Sequence, residues 1–142
     1  MSIAVRATGS DDIPALVALD TYVLINPARA TQITLWVESG QCFVAEREGE
    51  LLGFAVLNRA FFHSFFIELL MVSETHRRSG LGTALIQHLI GILPPGEKLW
   101  TSTNKSNADM QTLLHRLGFI PSGQIDNLDE GDPELVFVHL PA

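Results

Sequence analysis

The chain has 142 residues, a length that fits one domain, with 46% hydrophobic residues and a formal net charge of −7 at pH 7. It contains only nine lysines and arginines, which argues against nucleic-acid binding because such binding depends on cations that contact phosphates. The one cysteine, Cys42, excludes an internal disulfide and a multi-thiolate metal site, and it fits a reducing cytoplasm.

The first forty residues predict a strand and two helices. Residues 3–7 alternate apolar and polar side chains, as an opening strand does. Capping side chains at residues 10–12 and Pro14 in a first turn predict a helix that runs to about Asp20. A second, short helix is expected before Gly40, because apolar residues recur there at helical spacing.

The middle of the chain predicts three consecutive antiparallel strands. Residues 42–48 and 51–61 are apolar runs separated by the turn residues Gly49 and Glu50. A third run at residues 65–72 follows a turn expected at His63 and Ser64.

The remaining residues alternate between helix and strand. A helix at 81–93 is predicted from six residues on one face: Leu81, Ala84, Leu85, His88, Leu89 and Ile92. A strand at 99–103, a helix at 107–117 closed by Gly118, and strands at 119–125 and 135–140 follow. This order predicts an α/β fold with a single mixed, mostly antiparallel seven-stranded sheet flanked by about four helices.

The segment RRSGLGT, residues 77–83, joins a predicted strand to a predicted helix. Its glycines, Gly80 and Gly82, permit positive φ and let the backbone approach a ligand closely, while the first helical N–H groups face outward. These features predict a loop that binds a phosphate. The alternative is an ordinary glycine-rich turn with two solvated arginines.

Other phosphate-binding motifs fit this loop less well. A P-loop needs a lysine after the glycines, and a dinucleotide fingerprint needs a small residue where Leu85 stands. RRSGLG instead resembles the [QR]xxGx[GA] loop of the GCN5-related N-acetyltransferases (GNAT), which binds the pyrophosphate of acetyl-CoA. The resemblance implies acetyl-CoA as the cofactor, bound by Arg77, Arg78, Ser79, Gly80, Leu81, Gly82 and Thr83.

A second segment, NxxMxxLLxxLGF at residues 107–119, occurs in the family's order, and the resemblance spans nearly the whole chain. It implies the acyl-CoA N-acyltransferase fold in a single domain at residues 1–142. The implied function is transfer of an acetyl group from acetyl-CoA to a primary amine of a small cationic molecule, by direct attack on the thioester. Two alternatives stay open: acetylation of a protein N-terminus or lysine, and a non-catalytic acyl-CoA-binding module.

Glu68 is the candidate general base. An alkylamine is mostly protonated near neutral pH, so it must lose a proton before it attacks. Glu68 is the only charged residue in the apolar run at 65–72, where desolvation is expected to make its carboxylate more basic. The alternative is a half-exposed strand residue with polar neighbours.

The resemblance also implies which residues bind the pantetheine arm of acetyl-CoA. Main-chain groups at the end of the 65–72 strand are implied to bind it and to stabilise the oxyanion: Leu70, Met71 and Val72. Asn107 matches a family asparagine that helps to hold pantetheine, and its alternative role is a helix N-cap.

One family position is different in this chain. Leu114 stands where the family often has a tyrosine that protonates the leaving thiolate, and the only tyrosine is Tyr22. Water or Ser106 is therefore the expected proton donor, and acid catalysis is expected to be weak.

The segment at residues 126–134 carries five carboxylates and lies between the last two predicted strands. Asp129 and Glu130 are the candidate contacts for the substrate amine, and the alternative is a solvated turn.

The expected partner is therefore a small amine, with neither nucleic acid nor a membrane, and a homodimer is left open. The five histidines lack ligand spacing, so no metal site is expected. No signal peptide or membrane span is apparent, which predicts a cytoplasmic protein.

Overall fold

A computed structural model describes residues 2–142 of the chain. The seven strands are β1 (Ala4–Ala7), β2 (Cys42–Arg47), β3 (Glu50–Phe61), β4 (Ser64–Val72), β5 (Leu99–Asn104), β6 (Ile120–Ile125) and β7 (Glu134–His139). The helices are α1 (Ile13–Leu19), α2 (Ala28–Glu38), α3 (Leu81–Ile92) and α4 (Ala108–Arg116). Short 3₁₀ helices lie at Ser10–Asp12, Thr21–Leu24 and Glu74–His76. The predicted fold class is confirmed.

The seven strands form one mixed sheet in the order β1-β2-β3-β4-β5-β7-β6. β4 and β5 are parallel neighbours, while β1–β2, β2–β3, β5–β7 and β6–β7 are antiparallel. The parallel ladder consists of two pairs, Phe66 with Trp100 and Ile67 with Thr101. The part of β4 from Glu68 onward therefore extends beyond the ladder with β5.

The chain divides into two compact units. The first contains residues up to Leu57 together with Leu69–Leu89. In it, Leu16 of α1 and Ile33 of α2 are fully buried and pack with Val44, Phe54 and Val56 of the sheet. The helical spacing seen in the sequence thus places these helices on the apolar side of β2 and β3.

The second unit contains Asn58–Glu68 and Ile90–Ala142. Leu114 of α4 is fully buried, and the α4 residue His115 meets the ring of Phe137 edge-on at 5.7 Å. Gly118 has a φ of +89°, so it ends α4 in the left-handed conformation that the sequence predicted for this position.

Two local predictions are wrong. The β3–β4 turn is formed by Phe62 and His63, not by His63 and Ser64; both turn residues have positive φ, 51° and 62°. In α3, Ile86, which the sequence did not place on the apolar face, is fully buried, while Ile92, the last residue of the helix, is 45% exposed.

Within residues 2–142, no helix combines the length and the apolar character that crossing a bilayer requires.

Candidate functional site

The start of α3 carries main-chain donors that the helix itself does not bind. The Ala84 N–H donates to the Gly80 carbonyl at 3.0 Å, which makes Gly80 the residue that precedes the helix. The N–H groups before it, those of Leu81 to Thr83, belong to the first turn, where a helix supplies them no acceptor. Gly80 has no side chain that could cap them, and the positive end of a helix dipole favours an anion.

The backbone of this loop bends differently from the sequence prediction. Positive φ occurs at Arg78 (64°) and Gly80 (86°), whereas Gly82 lies inside α3. Gly80 thus uses the positive φ that a glycine permits, and Gly82 does not. The two left-handed residues, 78 and 80, turn the chain sharply just before α3.

Side chains on the protein side hold the loop in place. The Ser79 hydroxyl donates to the His76 carbonyl, and Arg47 Nη2 of β2 donates to the Ser79 carbonyl at 3.4 Å. Arg47 Nε is buried and has no hydrogen-bond partner within residues 2–142. Arg77 and Arg78 are exposed, on a loop whose Ser79 carbonyl accepts the hydrogen bond from Arg47.

Glu68 lies just past the last β4–β5 pair. It is exposed, and its Oε1 accepts a hydrogen bond from Asn58 Nδ2 at 2.7 Å. The desolvation expected from the apolar run around Glu68 is therefore absent. The Thr101 hydroxyl donates to the Ile67 carbonyl at 3.1 Å, which occupies the last main-chain acceptor before Glu68.

The end of β4 is closely packed on one side. Leu69 and Met71 pack against the core of the first unit, so strand alternation turns Leu70 and Val72 to the opposite face. On β3, Gly53 is buried, and a Cβ built there would lie 3.0 Å from the Met71 carbonyl oxygen. A glycine at 53 thus lets the β4 main chain approach β3 at the residues predicted to bind pantetheine.

The start of α4 is closed by its own side chains. Asn107 Oδ1 accepts from the Met110 N–H at 3.1 Å, so Asn107 is an N-cap. Ser106 donates its hydroxyl to Asp132 Oδ2 at 2.6 Å, and its N–H donates to Asp132 Oδ1 at 3.0 Å. Ser106 must leave Asp132 before its proton can go to another acceptor.

The acidic segment forms an ordered turn. Asp129 Oδ2 accepts from Asn104 Nδ2 at 2.8 Å, and the Asp132 N–H donates to the Asp129 carbonyl at 3.1 Å. Asn104 Nδ2 also donates to the Asp132 carbonyl at 3.2 Å. Glu130 is exposed. Asp129 and Asp132 thus tie the turn to the end of β5, while Glu130 points to solvent.

Three residues behave as structural groups. Leu114 is fully buried, so the family's tyrosine position is part of the core here. Tyr22 lies in the 3₁₀ helix Thr21–Leu24, where the Arg29 guanidinium stacks over its ring at 4.4 Å. Cys42 is buried, and this burial raises its pKa to about 11, which keeps the thiol protonated and unreactive.

Sequence reasoning missed three polar partners: Asn58 beside Glu68, Asp132 beside Ser106, and Arg47 behind Ser79. Each contact joins residues at least ten positions apart, so local patterns carry no signal for it. Among residues 2–142, no group of three or more histidine, cysteine, aspartate or glutamate side chains is arranged to hold a metal ion.

Comparisons with known proteins agree on one family. The model of the acetyltransferase (GNAT) family matches residues 15–119. A GNAT-family acetyltransferase from Bacillus cereus is 33% identical over 100% of this chain and 99% of its own, with a TM-score of 0.92. A search of the curated proteins gave no significant match.

Two more distant structures share the fold. The ribosomal-protein-S18-alanine N-acetyltransferase from Escherichia coli is 19% identical over 99% of this chain and 95% of its own, with a TM-score of 0.79. The diaminobutyrate acetyltransferase EctA from Paenibacillus lautus, solved with L-2,4-diaminobutyric acid and coenzyme A, is also 19% identical, with the same coverages and a TM-score of 0.73.

Proposed function

This chain belongs to the acetyltransferase (GNAT) family, and on that premise we propose that it transfers an acetyl group from acetyl-CoA to a primary amine of a small cationic molecule. The observation that carries the proposal is the start of α3. There Gly80 has no side chain that could cap the first helical N–H groups, and Arg77 and Arg78 add positive charge. Exposed N–H groups at a helix N-terminus with adjacent cations suit a pyrophosphate.

The hydrogen bonds that the loop makes to the rest of the protein support acetyl-CoA as the cofactor. Ser79 and Arg47 fix the carbonyl side of the loop, which leaves its N–H side for the phosphates. Bound acetyl-CoA supplies the thioester whose acetyl group is transferred. In the proposal, main-chain groups of Leu70, Met71 and Val72 bind the pantetheine arm and the thioester carbonyl, and Asn107 adds its free amide hydrogens to the same arm.

Proton transfer falls to Glu68. Deprotonation of an alkylamine with a pKa of about 10.4 costs about 4 kcal/mol of free energy near neutral pH. A base that takes the proton therefore accelerates the attack. Asn58 orients the Glu68 carboxylate through one oxygen, and the other oxygen is left for the amine or for a bridging water. Ser106 or water returns a proton to the leaving thiolate.

The net charge of −7 and the acidic turn support a cationic acceptor. We assign the contact with the substrate amine to Glu130 and to Asp129, whose second oxygen is not used by Asn104. EctA was solved with L-2,4-diaminobutyric acid, which is a small amine of this kind. A cytoplasmic location, a single domain over residues 1–142 and a homodimer stay predictions.

A second candidate acceptor is a peptide N-terminus. The observation that favours it is the exposure of Glu68. An exposed carboxylate is a weak base, and an α-amine with a pKa of about 7.7 needs much less help than an alkylamine.

The test is release of CoA thiol from acetyl-CoA with a panel of acceptors: alkylamines, a polyamine, lysine and a short peptide with a free N-terminus. We expect turnover on a small amine. Glu68→Gln is expected to lower kcat/KM for that amine about a hundredfold, while the exposed strand carboxylate variant Glu50→Gln leaves it unchanged. Acetyl-CoA binding without turnover on any acceptor would contradict the proposal and would favour a non-catalytic acyl-CoA-binding module.

A further inference from the structure

The second unit contains an open hollow of about 540 Å³ that the proposed reaction does not use. Its lining residues come from the β3–β4 turn and from strands β5, β6 and β7: Phe61, Phe62, Ser64, Trp100, Ser122, Gly123, Gln124, Ile125 and Val136. The β6 side is a bulge, because the β6–β7 register shifts between Pro121 and Gln124. The volume lies within the range of about 300–1,000 Å³ that is usual for small-molecule sites.

The floor and rim of the hollow are aromatic. The ring of Phe61 stacks on Phe66 at 5.3 Å and lies 5.4 Å from Trp100. Phe62 meets Phe61 edge-on at 5.0 Å, yet it is 85% exposed. Its φ of 51° is unusual for a bulky residue. The conformation that holds this ring at the rim therefore costs free energy.

The sheet face that carries the aromatic rings also carries carboxylates. Phe66 and Trp100 are paired across β4 and β5. Glu68 and Ser102 each follow two residues later on the same strands, so they share that face at a distance of about 7 Å along the strand. Ser102 donates to Glu134 Oε2 at 2.7 Å, which adds a second carboxylate to this acidic end.

We propose that the hollow binds the apolar body of the acceptor, so that the substrate is a primary amine with one positive charge and an aromatic or bulky apolar group on a short linker. This inference rests on the proposed acetyl transfer and narrows its acceptor. In this narrower form the amine lies toward Glu68 and Glu134, in place of the contact proposed above for Asp129 and Glu130, and the apolar group lies between Phe62 and Trp100. A polyamine has no group that fills an aromatic hollow, and its further charges would be desolvated there.

The first experiment compares two amines that differ in one phenyl group. We expect kcat/KM for 2-phenylethylamine to exceed that for ethylamine by about tenfold to a hundredfold, the gain expected from burying a phenyl ring. Ser122→Trp fills the hollow from the exposed β6 bulge and should abolish this preference. Thr112→Trp, the same kind of change at an exposed position of α4, should keep it.

The second experiment measures binding without turnover. The chain has two tryptophans, so Trp100 is the only one in a Trp36→Phe protein. Saturable change of Trp100 fluorescence by 2-phenylethylamine, and none by ethylamine at the same concentration, is the expected result. Loss of the change on Ser122→Phe in the same background, which fills the hollow without adding a tryptophan, would locate the amine in the hollow.

Each other outcome overturns the inference. Preference for spermidine over 2-phenylethylamine would contradict an apolar subsite in the hollow, while the proposed acetyl transfer would still stand. The same holds if only peptides are acetylated, or if Trp100 fluorescence follows dimer formation on concentration of the protein without amine. If no acceptor of the panel is acetylated while acetyl-CoA binds, the proposed function and this inference both fail.

Discussion

Two charged loops of this molecule differ in whether their polar groups are hydrogen-bonded within the protein. In the acidic turn at residues 126–133, Asp129 and Asp132 accept hydrogen bonds from Asn104 and Ser106, so the carboxylates are used to close the turn. In the loop at residues 77–80, contacts hold the carbonyl side, while the N–H groups at the start of α3 have no acceptor within the helix. The acidic turn therefore offers a ligand the exposed Glu130 carboxylate and the second oxygen of Asp129, whereas the loop at residues 77–80 offers main-chain donors.

The largest effect on stability is expected from Asp132→Ala. This change removes both hydrogen bonds to Ser106, and it should lower the free energy of unfolding by about 1–2 kcal/mol. Urea unfolding measures this loss, with the exposed Glu130→Ala as the control that should change little. Lower acetyl-CoA affinity with unaltered stability would contradict the view that this turn is closed by its own contacts.

A smaller, pH-dependent effect is expected at another closed cluster. Arg6 donates to Asp12 at 2.9 Å, and this hydrogen bond holds the pKa of Asp12 below its usual 3.8. The stabilisation is complete above pH 3.8 and is lost as the pH falls through the lowered pKa of the folded state. Asp12→Asn should cost about 1 kcal/mol at pH 7.

Urea unfolding of the Asp12→Asn protein across pH 2–7 checks the sign. The difference from the parent protein should shrink below about pH 4. The exposed neighbour variant Asp11→Asn is the control. A constant difference at every pH would mean that the charge of Asp12 does not contribute.

A modest effect on binding is expected at Arg78 in the open loop. Arg78→Asn removes a charge from an exposed site and keeps a side chain that tolerates the left-handed conformation. Acetyl-CoA affinity should fall about threefold to tenfold, and less at high salt. Isothermal titration calorimetry measures the affinity, with Arg116→Asn in α4 as the matched control. Equal acetyl-CoA affinities of the Arg78→Asn and Arg116→Asn proteins would mean that Arg78 does not contribute to phosphate binding.

Much of the fold could be predicted from the sequence because local patterns specify it. Gly118 ends α4 and Asn107 caps it, as the residue types indicated. Side-chain exposure was less predictable. Glu68 lies in an apolar run, but it is exposed because the β4–β5 ladder ends one residue earlier. That end depends on pairing with a strand more than thirty residues away.

The candidate site was predictable only in outline. The glycines and arginines of residues 77–83 marked the loop, but its left-handed residues are Arg78 and Gly80, and Gly82 is helical. The contact of Ser79 with Arg47 from another strand leaves no local signal either. The pairing of Ser106 with Asp132 likewise joins distant parts of the chain and leaves no local signal.

Calorimetric titration of acetyl-CoA into Gly80→Val and Gly96→Val proteins tests the central claim most directly. Both glycines have almost the same left-handed φ, +86° and +84°, and a Cβ has room at each, so both valines carry similar backbone strain. We predict that Gly80→Val weakens acetyl-CoA binding at least about a hundredfold, because its side chain covers the N–H groups of α3, and that Gly96→Val binds normally. Equal affinity of the two variants would contradict the assignment of the pyrophosphate to this loop.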